Sequence, residues 1–250
     1  MKNYILECCV DSVESAINAA NGGASRIELC SNLIIGGTTP DVALVKEIRK
    51  YTDIRIHALI RPRFGDFCYT KHEMEIMKSQ IRALKEAGVE GVVIGVLDIY
   101  GNLDVRKMKE LLQEASGLSV TLHRAFDMCR DPYEALEQAI SLGINTILTS
   151  GQKQSAWEGR ELLAELIEKA NGRIDIMAGA GVGAAVIEKL IPITKGTSYH
   201  MSGKITLDSP MKYRKEGVSM GLPSLSEYEI WQTSELAVKE AVEVLKHAGN

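Results

Sequence analysis

Short runs rich in Ile, Leu and Val alternate along this chain with longer runs whose apolar residues recur at helical spacing. The short runs predict eight strands, over residues 4–10, 26–30, 54–61, 91–97, 119–123, 146–149, 174–177 and 195–200. Several of the long runs open on recognisable helix starts. Asp11 or Ser12 precedes residues 13–17, Thr39 and Pro40 precede 41–50, and Asp131 and Pro132 precede 133–142, with both prolines suited to a first helical turn. Glycines at 22, 23, 88, 117, 143 and 172 close helices or open the next strand. Strands that alternate with helices and read as continuous apolar runs imply a parallel sheet covered by helices. Eight such units in 250 residues is the size of a (β/α)8 TIM barrel. An open doubly wound sheet would place a glycine-rich turn after the first strand, where this chain has Cys9-Val10-Asp11-Ser12. The expected fold is therefore an α/β, single-domain TIM barrel spanning 1–250.

Two strands end in chemistry. The run Ile56-His57-Ala58-Leu59-Ile60 leads into Arg61, Pro62 and Arg63, and Val120-Thr121-Leu122 leads into His123, Arg124 and Asp127. Buried strands deliver side chains to a barrel mouth in this way. Arginines there fork onto carboxylate or phosphate, or pair with Glu7 or Glu28. A His with an acidic residue four positions later is a candidate acid or base near neutral pH, or a hydrogen-bonded structural His. The pattern Glu-x-Cys occurs on two neighbouring strands, as Glu7/Cys9 and Glu28/Cys30, and the period of two places each pair on one face. If that face is the lumen, two carboxylates and two thiols converge. Such thiols suit Cu(I), with Met201 or another thiol as a further ligand, or they are small buried hydrophobes. Cys68 and Cys129, just past strands three and five, are further soft ligands or filler, and Cys8 is expected to face the helices. Strand six ends at Ser150, strand seven runs into Gly179 and Gly181, and strand eight ends in His200, Met201 and Ser202. Glycine-rich turns after the last strands of a barrel offer backbone N–H groups to phosphate.

Composition narrows the partners. A net charge of -4, with no block of like charge, argues against nucleic acid and against an anionic membrane surface. No apolar run approaches a bilayer span, and Glu7 interrupts the amino end too early for a signal peptide. Five cysteines without small-domain spacing argue for reduced thiols. The expected setting is cytoplasmic.

The segments Leu6-Glu7-x-Cys9-Val10-Asp11-Ser12, Arg26-Ile27-Glu28-Leu29-Cys30-Ser31, Gly36-Gly37-Thr38-Thr39-Pro40, Ile60-Arg61-Pro62-Arg63-x-Gly65-Asp66-Phe67, His123-Arg124-Ala125-Phe126-Asp127, Leu148-Thr149-Ser150-Gly151 and Met211-Lys212-Tyr213-Arg214 resemble the CutC family, from about residue 4 to about residue 221. The resemblance implies a cytoplasmic, homo-oligomeric TIM barrel (dimer or tetramer) of copper homeostasis, with Cys9 and Cys30 as Cu(I) ligands. Two readings of function stand side by side. One is a copper-binding protein built on Cys9 and Cys30. The other is an enzyme acting on a small anionic or phosphorylated molecule. There Glu7, Glu28, Arg61, His123 and Asp127 are the catalytic candidates, and Arg63, Arg124, Ser150, Gly179, Gly181, His200 and Ser202 bind the anion.

Overall fold

The computed structural model describes residues 4–221 and 225–249; residues 1–3 of the amino end therefore lie outside the described residues. Eight parallel strands close into a barrel in chain order: β1 (Ile5–Val10), β2 (Arg26–Leu29), β3 (Arg55–Leu59), β4 (Gly91–Ile94), β5 (Ser119–Leu122), β6 (Thr146–Thr149), β7 (Asp175–Ala178) and β8 (Ser198–Met201). Seven helices fill the crossovers: α1 (Val13–Asn21), α2 (Val42–Ile48), α3 (Lys71–Glu86), α4 (Val105–Glu114), α5 (Pro132–Ser141), α6 (Arg160–Ala170) and α7 (Ala184–Thr194). The starts follow local chemistry. Ser12 caps α1, Thr70 and Glu73 form a reciprocal capping box on α3, and Asp131 caps α5 with Pro132 in its first turn. Pro40 departs from expectation: Asp41 is the cap of α2, so Pro40 precedes the helix.

The carboxyl-terminal part departs further. The barrel continues into an antiparallel hairpin, β9 (Lys204–Asp208) with β10 (Glu229–Thr233), before α8 (Glu235–Gly249). The amphipathic run from 226 to 247 is thus a strand followed by a helix. Within it, Val238, Ala241 and Leu245 are buried, and α8 packs against α7 and α1.

Strand register explains what fills the barrel. Moving one residue along at each neighbouring strand closes rings of four inward side chains, as barrel stagger requires. From the bottom these are Arg26, Gly91, Thr146 and Ser198; then Glu7, His57, Thr121 and Met177; then Glu28, Val93, Leu148 and His200. Cys9, Leu59, His123 and Gly179 close the top. Most of these side chains are polar. The large apolar core lies instead between strands and helices, where Leu6, Cys8, Ile27, Ile56, Ile94, Leu122, Ile147 and Tyr199 are buried. Cys8 faces the helices, as its alternation with Glu7 and Cys9 requires.

Candidate functional site

The lower lumen is an ion network. Arg26 Nε donates to Glu7 Oε2 at 2.5 Å, and His200 Nδ1 lies 2.8 Å from Glu7 Oε1. On its other side, His200 Nε2 is 3.7 Å from Glu28 Oε2. Burial pushes Glu7 up, but the hydrogen bond from His200 and the charges of Arg26 and His200 prevail and hold it at about 2. Burial works against the His200 charge, yet Cys9, Glu7 and Glu28 lift its pKa well above the imidazole range. Glu28 behaves differently. Burial dominates, His200 opposes it and the Glu7 charge adds to it, leaving Glu28 raised to about 7. Two carboxylates a ring apart thus take different protonation states, the arrangement that assigns acid and base roles in a polar site.

Above this network lies the mouth. Arg61, buried beyond the end of β3, donates from Nη1 to the carbonyls of Gly36 (3.2 Å) and Gly37 (3.0 Å), and from Nη2 to Gly65 (2.9 Å). The turn before it can approach because residue 37 is glycine: its φ is +85°, and a Cβ there would sit 2.8 Å from Leu59 Cδ2. Among the described residues no carboxylate pairs with Arg61, so the expected ion pair with Glu7 or Glu28 is absent, and its Nε is buried without a partner. The guanidinium lies 5.2 Å from the centre of the Phe67 ring, which in turn packs against His123 at 4.9 Å.

His123 caps the short 3-10 turn Arg124–Met128. Its Nδ1 accepts from Ala125 N at 3.1 Å, which places the proton on Nε2. Among the described residues, that Nε2 is buried without a protein partner. Burial and the nearby Arg61 charge push His123 down to about 3. His123 is therefore a neutral donor at physiological pH. The expectation of an acid or base titrating near neutrality passes from His123 to Glu28.

Two further expected roles are corrected by their contacts. Arg63 turns away from the mouth, pairing with Glu73 (2.5 Å) and Asp66 (2.9 Å), because the chain leaves β3 at Leu59 and folds back onto the first turn of α3. Asp127 sits on the 3-10 turn and is saturated. It accepts from Thr149 Oγ1, from the amides of Ser150 and Gln152, and from Arg124 Nε at 2.7 Å. It is a positioning residue for Arg124, whose Nη2 also reaches Ser150 Oγ at 3.0 Å. Ser150 is engaged in the same knot, and Ser202 is exposed at the rim, accepting from Lys204 N at 3.4 Å. Gly181 lies in the turn between β7 and α7. Gly179 is in the top ring, where a Cβ would meet Leu148 at 2.5 Å.

Cys9 is half-buried and Cys30 buried. Their thiols donate to the carbonyls of Met201 (3.7 Å) and Glu28 (3.9 Å). The Met201 side chain lies in the outer apolar shell, so it is no ligand from the lumen. Cys129 is buried in that shell as well and donates to Ala125 O at 3.7 Å, which makes it filler, while Cys68 is half-buried in the loop held by Arg63.

Cys9, Glu28, Arg61, Phe67, His123 and His200 line one cavity of about 240 Å³, with Leu33, Leu59 and Leu148 as apolar wall. Arg26, His57 and Phe67 are neighbours of the candidate site that strand-end reasoning passed over. Arg26 and His57 carry the signal of period two, since they alternate with buried apolar residues on strands whose ends were already singled out.

A closed parallel barrel whose charged cavity opens at the carboxyl ends of its strands is a TIM-barrel protein with its site at the usual place. The chain belongs to the CutC family, whose family model matches residues 4–205. It is 47% identical over 247 residues to a family protein CutC of Bacteroides fragilis, covering 97% of this chain and 98% of the relative. It is 42% identical over 245 residues to a human protein named copper homeostasis protein cutC homolog, covering 98% and 90%. A crystal structure of CutC from Streptococcus agalactiae superposes with a TM-score of 0.76 at 31% identity, over 80% of this chain and 98% of that one. An N-(5'-phosphoribosyl)anthranilate isomerase from Pyrococcus furiosus, at 14% identity, covers 98% and 100% with a TM-score of 0.57, and shares the barrel alone.

Proposed function

We propose that the chain binds a small oxyanion in the mouth cavity and moves a proton on it. The observation that carries this reading is a buried guanidinium, Arg61, that among the described residues has no counter-charge, set beside His123, whose Nε2 has no partner among them either and which lines the same cavity. Buried donors cost free energy when left unpaired, roughly 1–3 kcal/mol each and more for a charged group. Phosphate, carboxylate or enolate oxygen supplies what both lack. Glu28, in the ring below and titrating at about 7, exchanges a proton with the bound molecule. His200, held cationic between Glu7 and Glu28, offsets negative charge as the proton leaves Glu28. The expected result is a melting temperature that rises with inorganic phosphate for the wild type, and a phosphate affinity at least about tenfold weaker in Arg61→Ala, equivalent to about 1.4 kcal/mol. No response to phosphate or to any small carboxylate would overturn the reading.

The second reading, Cu(I) held by Cys9 and Cys30, is favoured by the placement of Cys9 on β1 and of Cys30 just past the end of the neighbouring β2, and by the name of the human relative. The donor set fits such an ion only in part. Among the described residues no group of three or more His, Cys, Asp or Glu side chains is arranged as a metal site. Burial, followed by the neighbouring Glu28 and Cys9, pushes the Cys30 thiol well above its usual pKa, opposing the thiolate that Cu(I) requires. An anaerobic Cu(I) competition titration of the wild type beside the Cys9→Ser/Cys30→Ser double variant separates the two. Stoichiometric binding lost in the variant supports copper as cargo; binding indifferent to the substitutions removes it. We also carry forward a cytoplasmic location and a dimer or tetramer, the latter checked by light scattering in solution. Among the described residues no helix is long and apolar enough to cross a membrane.

A further inference from the structure

A second cavity, of about 210 Å³, lies on the other side of Cys9 and Leu33, which also wall the mouth cavity. Its outer side is the β9–β10 hairpin, which contributes Lys204, Trp231 and Thr233. This hairpin adds little to the core: every residue of β9 is exposed. Its base is nonetheless fastened to the barrel. Thr233 N donates to Ser15 Oγ (3.1 Å), Thr233 Oγ1 to Ser202 O (3.1 Å), and Asn18 Nδ2 to Thr233 O (2.9 Å). Trp231 is held in turn by Lys204, whose Nζ lies 3.3 Å from the indole centre and, among the described residues, pairs with no carboxylate. A two-stranded ribbon is marginal in water on its own, so anchoring one to hold a half-buried indole beside a charged cavity calls for a reason beyond packing.

We propose that this compartment is a second subsite of the mouth, and that the ligand is an oxyanion carrying a planar apolar group. The inference rests on the oxyanion reading given above and narrows it. The anionic end meets Arg61 and His123. The apolar end passes Cys9 and Leu33 and packs against Trp231, which is pre-ordered by Lys204 so that less freedom is lost on binding.

Two probes test this in a Trp157→Phe background, where Trp231 is the remaining tryptophan of the two. Inorganic phosphate and 1-naphthyl phosphate are titrated by calorimetry and by indole fluorescence. The expected result is that 1-naphthyl phosphate binds at least about tenfold tighter than phosphate and changes Trp231 emission, while phosphate leaves the emission unchanged. Trp231→Ala, and separately Lys204→Ala, should bring 1-naphthyl phosphate back toward the affinity of phosphate without altering phosphate binding. Both variants lie on the exposed ribbon, and retention of phosphate binding certifies their fold. If phosphate binds and the naphthyl group adds nothing, or Trp231 does not respond, the second subsite is overturned and the oxyanion reading stands. If neither probe binds, both fall together.

Discussion

Gly91 and Gly95 are the residues that make the lumen polar. A Cβ at Gly91 would lie 2.6 Å from the His57 ring, and one at Gly95 would lie 2.5 Å from His123 Cε1, so each absent side chain is the space an imidazole occupies. Gly95→Ala should therefore cost about 1–3 kcal/mol in denaturant unfolding and abolish the melting response to phosphate by displacing His123. The buried groups also fix the sign of pH effects. His57 and His123 are pushed down to about 4 and about 3, so each contributes stability above the ordinary imidazole range that is lost as pH falls from 6.5 toward those values. Glu28 works in the opposite direction. Its folded pKa of about 7 exceeds the ordinary 4.5, so its contribution is complete below 4.5 and lost as pH rises through 7. Glu28→Gln should leave the protein more stable than wild type by roughly 1–3 kcal/mol at pH 8, with the difference vanishing near pH 4, in urea unfolding followed across pH. At this scale the sequence was legible wherever period two continued through a strand end, as it did for Cys9, Glu28, Arg61 and His123. It failed where the backbone left the strand. Arg63 turned toward Glu73, and Asp127 entered a 3-10 turn that aims it at Ser150.

Among the elements, the β6–α6 loop carries the sharpest constraint. Gly151 and Gly159 pack backbone to backbone, and a Cβ on Gly159 would lie 1.9 Å from Ser150 O. Gly159→Ala should cost about 2–4 kcal/mol and loosen Arg124, which Ser150 and Asp127 hold at the rim. Amide hydrogen exchange is expected to rise first across 149–159. The strands were readable from their apolar runs to within a few residues, since each is buried on both faces. The hairpin was missed for a different reason. Ile205 and Leu207 alternate as a strand should, but the opposing strand, with Ile230 and Trp231, runs directly into the amphipathic pattern of α8, and the helical period masked it.

For the whole molecule, the barrel separates two kinds of stabilisation. The shell between strands and helices supplies apolar burial, while the lumen is held by ion pairs whose members depend on one another. Arg26→Ala leaves Glu7 buried with His200 as its remaining ionic partner, and should cost about 3–5 kcal/mol, measured as the midpoint of chemical unfolding. The barrel was legible because eight repeating units fix it. The chamber was less so, because which buried carboxylate ionises depends on neighbours nearly two hundred residues away in sequence, as with Glu7 and His200, which barrel closure brings onto adjacent strands. The central claim is that Glu28 is a proton carrier beside a bound anion. Its side-chain carboxyl, labelled with ¹³C and assigned by comparison with Glu28→Gln, can be titrated by NMR with and without phosphate. The expected result is a midpoint near 7 that rises further when phosphate occupies the cavity, since a nearby negative charge disfavours ionisation. A midpoint near 4.5, unmoved by phosphate, would contradict it.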